Sequence, residues 1–139
     1  MLLTNNICQK LAEAAWDKSR ELGVAISFAM ADQHGLPLYF QRFDQALVLS
    51  TVLVPQKAYT AAITQTPTKE LAVLAAEGGP LMGISNNDAN LTLVAGGHPL
   101  FVDGAIVAGF GVGGGTETQD EAIVQHVLNV YKTLLGDAK

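Results

Sequence analysis

Charge is scarce in this chain. Only 15% of the 139 residues are Asp, Glu, Lys or Arg, where about a quarter is usual, while 49% are apolar. So few charged groups cannot cover the surface of a small domain. The uncovered apolar surface points to a homo-oligomer, the alternative being a monomer merely rich in alanine and glycine. Basic clusters are missing too: 8 Lys and Arg stand against 13 Asp and Glu, a net charge of −5. That argues against nucleic acid as a partner and against anionic membrane surfaces. The lone cysteine, Cys8, excludes an internal disulfide and fits a reducing compartment. No apolar run reaches the length of a membrane span. Met1-Leu2-Leu3 passes straight into Thr4-Asn5-Asn6, without the basic start and apolar stretch of a secretion signal, so the expected location is cytoplasmic. The length suits one domain, 1–139, with a full core.

What is present is strong punctuation. Residues 5–22 carry Ile7, Leu11, Ala14, Ala15 and Leu22 at helical spacing, with Thr4 or Asn5 as N-cap and Gly23 as terminator. From Val24 to Ala31 the period becomes two. Val24, Ile26, Phe28 and Met30 share one face, and Ala25, Ser27, Ala29 and Ala31 the other, so a helix is expected tight against the small face. Asp32-Gln33-His34-Gly35 turns the chain into a second strand, Leu36 to Phe43, completing a hairpin. Gln45 to Gln65 reads as a helix whose regular part starts near Thr51 and holds Pro55 in its first turn. Thr66-Pro67 caps a short helix that ends by Gly78-Gly79-Pro80. After an Asn-rich loop over 81–90, strands are expected at Leu91–Ala95 and His98–Val102, with Pro99 marking an edge or a bulge. Asp103-Gly104 signals a type I′ turn into a glycine-rich strand. A last helix over 117–135 follows, with the stripe Ile123, Val127, Val130, Leu134 and with Gly136 as terminator.

The segment from Ala105 to Gly115 carries the most information. Large residues (Ile106, Phe110, Val112) lie mostly on one face and small ones (Ala105, Gly109, Gly111) on the other. Gly113-Gly114-Gly115 then meets a capping box, Thr116 with Gln119. Amides at a helix start attract anions, so Gly113, Gly114, Gly115 and Thr116 are candidate ligand contacts, around a hollow expected between the sheet edge and the last helix. The letters of a dinucleotide fingerprint at Gly109–Gly114 lack the second strand and acidic residue that give them meaning. Close helix–sheet packing explains Gly109 and Gly111 better.

Arg42 with Asp44, and Lys57 with Tyr59 and Thr60, are polar clusters on a poorly charged background. Arg42–Asp44 reads either as an ion pair fixing the strand-to-helix turn or as a ligand contact. Lys57 reads either as a packed stem with a wet head or as a ligand group. Asp120 and Glu121 suit the dipole of the last helix without further function. The three histidines, His34, His98 and His126, stand at no metal-ligand spacing. His34 reads as a solvated turn residue, while His98 and His126 are candidate axial ligands to an iron. No serine sits in a nucleophile elbow, and Cys8 reads as a buried thiol.

Taken together, Asp32-x-x-Gly35, Arg42-Phe43-Asp44, Lys57-Ala58-Tyr59-Thr60-Ala61, Gly96-Gly97-x-Pro99 and Gly109-x-Gly111-Val112-x-Gly114 with Asp120-Glu121 resemble the GlcG/HbpS family, which includes the C-terminal domain of PduO-type proteins. The resemblance spans nearly the whole chain. It implies an α/β (α+β), profilin-like fold: a five-stranded antiparallel sheet flanked by helices on both faces. It also implies dimer-based homo-oligomers. Some members bind haem, and some accompany cobalamin-dependent diol metabolism. Trp16–Glu21, where haem-binding relatives of the PduO type are thought to carry a histidine, has none here. The expected function is a non-catalytic, oligomeric small-molecule-binding protein, with haem or another tetrapyrrole as leading ligand and Arg42, Asp44, Lys57, Thr60 and Gly113–Thr116 as contacts. The alternative is an accessory protein of a cobalamin-dependent diol or glycerol pathway, acting on an enzyme partner through protein contacts. A third reading is an enzyme on a small acid or carbonyl compound, with Lys57, Arg42 and Asp44 as its polar set.

Overall fold

The structure is a computed structural model that describes residues 3–137. Met1 and Leu2, on which the expected lack of a leader partly rests, lie outside the described residues, as do 138 and 139. The order is α1 (Asn5–Leu22), β1 (Ser27–Asp32), β2 (Pro37–Arg42), α2 (Ser50–Thr64), α3 (Thr68–Leu74), a 3-10 turn (Ile84–Asn86), β3 (Gly97–Val102), β4 (Ala105–Gly113) and α4 (Glu117–Asp137). The strands form one antiparallel sheet in the order β2-β1-β4-β3.

Local chemistry sets the boundaries. Thr4 caps α1 by accepting the Ile7 amide, and Gly23 ends it in the left-handed region. Asp32 closes the first hairpin by accepting the amides of His34 at 2.8 Å and Leu36 at 3.0 Å. Asp103 and Gly104 both have positive φ, 51° and 80°, as a type I′ turn demands. β3 is an edge strand with a bulge after Leu100, which accommodates Pro99. At α4, Thr116 and Gln119 exchange side-chain-to-amide bonds of 3.2 and 2.9 Å, the capping box read from the sequence.

Five details differ from expectation. The sheet has four strands among the described residues, not five, because Leu91–Ala95 is irregular. Two of its amides go to side chains, Thr92 donating to the Thr60 hydroxyl at 3.0 Å and Val94 to the Thr92 hydroxyl at 3.3 Å, while Leu91 donates to the Asp88 carbonyl at 3.2 Å. α2 starts at Ser50, as expected within a residue, but Pro55 falls in its second turn. Pro55 itself is on the exposed side of the helix, while Val54 and Ala58 are buried. Thr66 does not cap α3; its hydroxyl donates to the Thr64 carbonyl, and the helix starts at Thr68 and ends at Leu74, short of Gly78. Gly136 lies inside α4 rather than after it. The glycine-rich strand β4 is an inner strand, so the hollow beside its end is not at the sheet edge.

The two faces of the sheet carry different helices. Phe28, Met30, Phe110 and Val112 meet Leu11 and Ala15 of α1 and Ile123, Val127 and Tyr131 of α4 in the main core. The opposite face is made of Ala29, Ala31, Gly109 and Gly111, against which Val54, Ala58 and Ala62 of α2 pack. A methyl added at Gly109 would overlap the Ala58 carbonyl oxygen and sit 2.6 Å from the Ala62 nitrogen. One at Gly111 would overlap the Val54 carbonyl oxygen and sit 2.9 Å from the Ala58 nitrogen. These neighbours are backbone and cannot rotate away. Gly109→Ala is therefore expected to cost about 3 kcal/mol in urea unfolding, at the upper end for overpacking. A loss below about 1 kcal/mol would mean that α2 stands off the sheet.

Candidate functional site

The tight seat of α2 drives Lys57 inward, at the level of Gly111 and Gly113. Its side chain is 2% exposed. Its ammonium donates to the Val112 carbonyl at 2.8 Å and lies 3.6 Å from Oδ2 of Asp120, in the first turn of α4. The other oxygen of Asp120 accepts the Gly115 amide at 3.0 Å. Gly96 and Gly113 leave room for this head, since a Cβ at either would stand 3.0 Å from Nζ. Burial pushes the Lys57 ammonium below its ordinary pKa, and the attraction of Asp120 only partly offsets this. Burial likewise pushes the Asp120 carboxyl up, against the pull of Lys57 and the Gly115 amide.

Glu121 builds a second contact beside the first. Its two oxygens accept the Gly96 amide at 2.9 Å and approach Nε2 of His98 at 2.8 Å. Burial acts to raise the Glu121 carboxyl, but His98, the Gly96 amide and the charge of Lys69 together hold it below its ordinary value. Thr68 accepts the Gly97 amide at 2.9 Å, and Lys69 reaches Glu117 at 3.0 Å on the surface. The carboxylates opening α4 thus tie the loop before β3 and the loop after β4 to one helix.

Above Lys57 and Asp120 lies a hollow of about 140 Å³, lined by Gly113, Gly114, Gly115, Ser50 and the apolar Leu47, Leu49, Leu53 and Val94. A separate, shallow groove of about 500 Å³ runs between α1 and β2, over Gln9, Ala12, Glu13, Trp16, Tyr39, Gln41 and Phe43. Trp16 and Phe43 stack there with centroids 4.9 Å apart, and the Tyr39 hydroxyl donates to Gln41 at 3.0 Å.

Of the residues singled out in the sequence, the structure joins Lys57 with Gly113, Gly114 and Gly115. The rest lie elsewhere or are occupied. Arg42 donates through Nε to the Ala46 carbonyl at 2.9 Å, and no ion pair joins it to Asp44. Neither Arg42 nor Asp44 lines the hollow, so the polar set Lys57–Arg42–Asp44 does not form. Thr60 is fully buried and serves the Thr92 amide. Thr116 spends its polar atoms on the cap. The amides of Gly115 and Thr116 are held by Asp120 and Gln119, so they are not open to an anion. His98 is engaged by Glu121, and His126 is half-buried on α4. Neither histidine lines the hollow or the groove. No group of three or more His, Cys, Asp or Glu among the described residues is placed to hold a metal ion. Sequence reasoning missed Asp120 and Glu121 as partners. Their helix-start position has a sufficient explanation in the dipole, and no spacing links them to Lys57 or His98.

An antiparallel α+β domain with helices on both faces and a lysine–carboxylate pair under a glycine loop is thereby defined. The chain belongs to the family described as haem degrading protein HbpS-like, which matches residues 3–129. It is 31% identical over 133 residues to a 15.0 kDa protein of Citrobacter freundii from the dhaT-dhaS intergenic region, covering 95% of this chain and 94% of that one. It is 32% identical over 117 residues to the corrinoid adenosyltransferase PduO of Salmonella typhimurium, covering 84% of this chain but only 35% of PduO. Among solved structures, a PduOC:heme complex superposes with a TM-score of 0.88 at 30% identity, over 93% of this chain and 94% of that one. HbpS superposes with a TM-score of 0.84 at 31% identity, over 94% and 90%.

Two outcomes follow from the charges. Lys57→Met leaves Asp120 buried without its cation and is expected to cost about 3 kcal/mol in urea unfolding. Because the folded-state pKa of Asp120 lies above its unfolded value, the stabilisation from its protonated form is complete below the unfolded pKa and lost as pH rises through the folded one. The variant's deficit should therefore shrink as pH falls from 7 toward 4, and a deficit that grows would contradict the buried pair. Glu121 has the opposite sign. Its folded pKa is depressed, so its contribution is present above the unfolded pKa and lost as pH falls through the folded one. Glu121→Ala should cost about 2 kcal/mol at pH 7 and less in acid. Equal loss at both pH values would remove its role as a charged acceptor.

Proposed function

We propose that the protein is a non-catalytic, oligomeric binding protein for a tetrapyrrole, with haem as the leading ligand. The observation that carries this is the match to the PduOC:heme complex over nearly the full length of both chains. The hollow at Lys57, at about 140 Å³, is too small for a macrocycle, for which about 300 Å³ or more is needed. The groove between α1 and β2 has the room: it offers about 500 Å³, and the Trp16–Phe43 stack, with the Arg20 guanidinium 5.2 Å from the Trp16 ring centre, lines it beside Gln9, Glu13 and Gln41. Tyr39 is the side chain there of a type that ligates haem iron, and it takes the place of the histidines considered from the sequence. Burial, with a smaller contribution from Cys8, raises the pKa of its phenol. Bound haem would supply the redox and ligand chemistry of its iron. Trp16 and Phe43 would hold the ring face, and Tyr39 would supply an oxygen donor.

Self-association has a surface in the segment before and into α2. Leu47, Val48, Leu49 and Val52 are 64%, 74%, 60% and 57% exposed. An apolar strip of this kind suits contact with a second copy. The likeness to part of PduO favours a second reading: an accessory role in a cobalamin-dependent diol or glycerol pathway, through contact with an enzyme. That reading expects an enzyme partner in pull-downs from cells grown on glycerol or a diol.

Titration of the purified protein with haemin should give a saturable Soret shift, and native mass spectrometry should show the bound mass with the subunit count. Trp16→Ala should weaken binding about tenfold, the scale of one aromatic stacking contact. A spectrum of free haemin with unsaturable uptake, or full affinity in Trp16→Ala, would contradict the proposed site.

A further inference from the structure

The hollow over Lys57 has a chemistry of its own, independent of the haem reading because it is a different cavity. We propose that Lys57 captures a small aldehyde or ketone there as an imine. Three observations on the site converge. The amine is interior yet lines an open cavity, with Val112 O at 2.8 Å and Asp120 Oδ2 at 3.6 Å as its partners. The facing wall is apolar, from Leu47, Leu49, Leu53 and Val94. The space, about 140 Å³, admits a compound of a few carbons.

Charge selects among small ligands. An anion entering the hollow would meet the Asp120 carboxylate, and a cation would meet the Lys57 ammonium. A neutral carbonyl compound avoids both penalties, placing its oxygen toward Nζ and its carbon chain on the leucines. Desolvated lysines in apolar pockets are the ones that act as amine nucleophiles, and burial lowers the Lys57 ammonium in this way.

The step balances within the site. Ammonium with carboxylate and amine with carboxylic acid are two placements of one proton in the Lys57–Asp120 pair, and the second form is the reactive one. The Nζ lone pair forms a bond to the carbonyl carbon, the C=O π pair moves to oxygen, and one nitrogen proton transfers to that oxygen to give a carbinolamine. Asp120 then protonates the hydroxyl, the C–O bond breaks, and water leaves. The product is a protonated imine at Nζ paired with the Asp120 carboxylate. No oxidant or reductant is required, and hydrolysis reverses the capture.

The test uses the full-length protein, propanal as probe and cyanoborohydride to reduce the imine to a stable propyl-lysine, read by intact mass and peptide mapping. One propyl group per chain is expected, on Lys57, appearing about tenfold faster than on the surface lysines Lys10, Lys69 and Lys132. Val94 lines the hollow, is 45% exposed and lies outside the Leu47–Val52 strip, so Val94→Trp can narrow the entrance without disturbing the core or that strip. It should slow Lys57 labelling about tenfold with an unchanged circular dichroism spectrum. Propyl groups spread over surface lysines with Lys57 unmodified, or labelling indifferent to Val94→Trp, would overturn the proposal.

Discussion

The contact between α2 and the small-residue face of the sheet is the constraint from which the other features follow. Gly109 and Gly111 let helix backbone ride against strand backbone at a distance that no side chain could occupy. At that distance a residue one helical turn from Val54 and one from Ala61 has nowhere to extend along the surface. Lys57 therefore enters the interior. A buried ammonium without partners is untenable, so the carbonyl of Val112 and the carboxylate of Asp120 are required there. The glycine approach and the buried charge are thus one feature seen from two sides.

Asp120 in turn fixes where α4 begins. Its carboxylate holds both Lys57 and the Gly115 amide, and its neighbour Glu121 holds the Gly96 amide and His98. Two loops and helices from both faces of the sheet meet in this network. The charged groups of the chain are few, and a disproportionate share of their structural effect is concentrated here. The molecule meets its scarcity of charge elsewhere with exposed apolar residues along Leu47–Val52 and on β2.

Much of the architecture was legible because short-range rules decide it. Thr4, Gly23, Asp103-Gly104 and the Thr116–Gln119 box act within four residues, and each holds in the structure. The alternation of large and small residues on β1 and β4 also foretold a helix against the small face. The missed strand, Leu91–Ala95, failed for a long-range reason: two of its amides are taken by Thr60, 32 residues away from Thr92, and by Thr92 itself. Thr66-Pro67 misled because a good cap residue can spend its hydroxyl elsewhere. At the site, Lys57 and the three glycines were readable from type and spacing. Arg42 and Asp44, singled out as a charged cluster and as part of the Arg42-Phe43-Asp44 motif, do not line the hollow. Asp120 reads in the sequence only as a helix-dipole residue, and the Trp16–Phe43 stack is not foreseen there, because their partners come from distant segments.

Two of the recesses among the described residues differ sharply in chemistry. The α1–β2 groove is wide and shallow, with Trp16, Tyr39 and Phe43 set among Gln9, Glu13 and Gln41. The hollow at the end of β4 is small and centred on one amine. Both positions trace back to the sheet order, which puts β2 at the edge beside α1 and the β4 glycines under α2. The state of the Lys57 head is the most direct witness to the whole arrangement. A nitrogen-15 NMR titration of the lysine side chains resolves it, with the exposed Lys10 and Lys132 as internal references. One lysine ammonium, lost in Lys57→Met, is expected to exchange slowly with solvent and to titrate below the ordinary lysine value. A Lys57 signal that exchanges as fast as the surface lysines and titrates at the ordinary lysine value would contradict this burial.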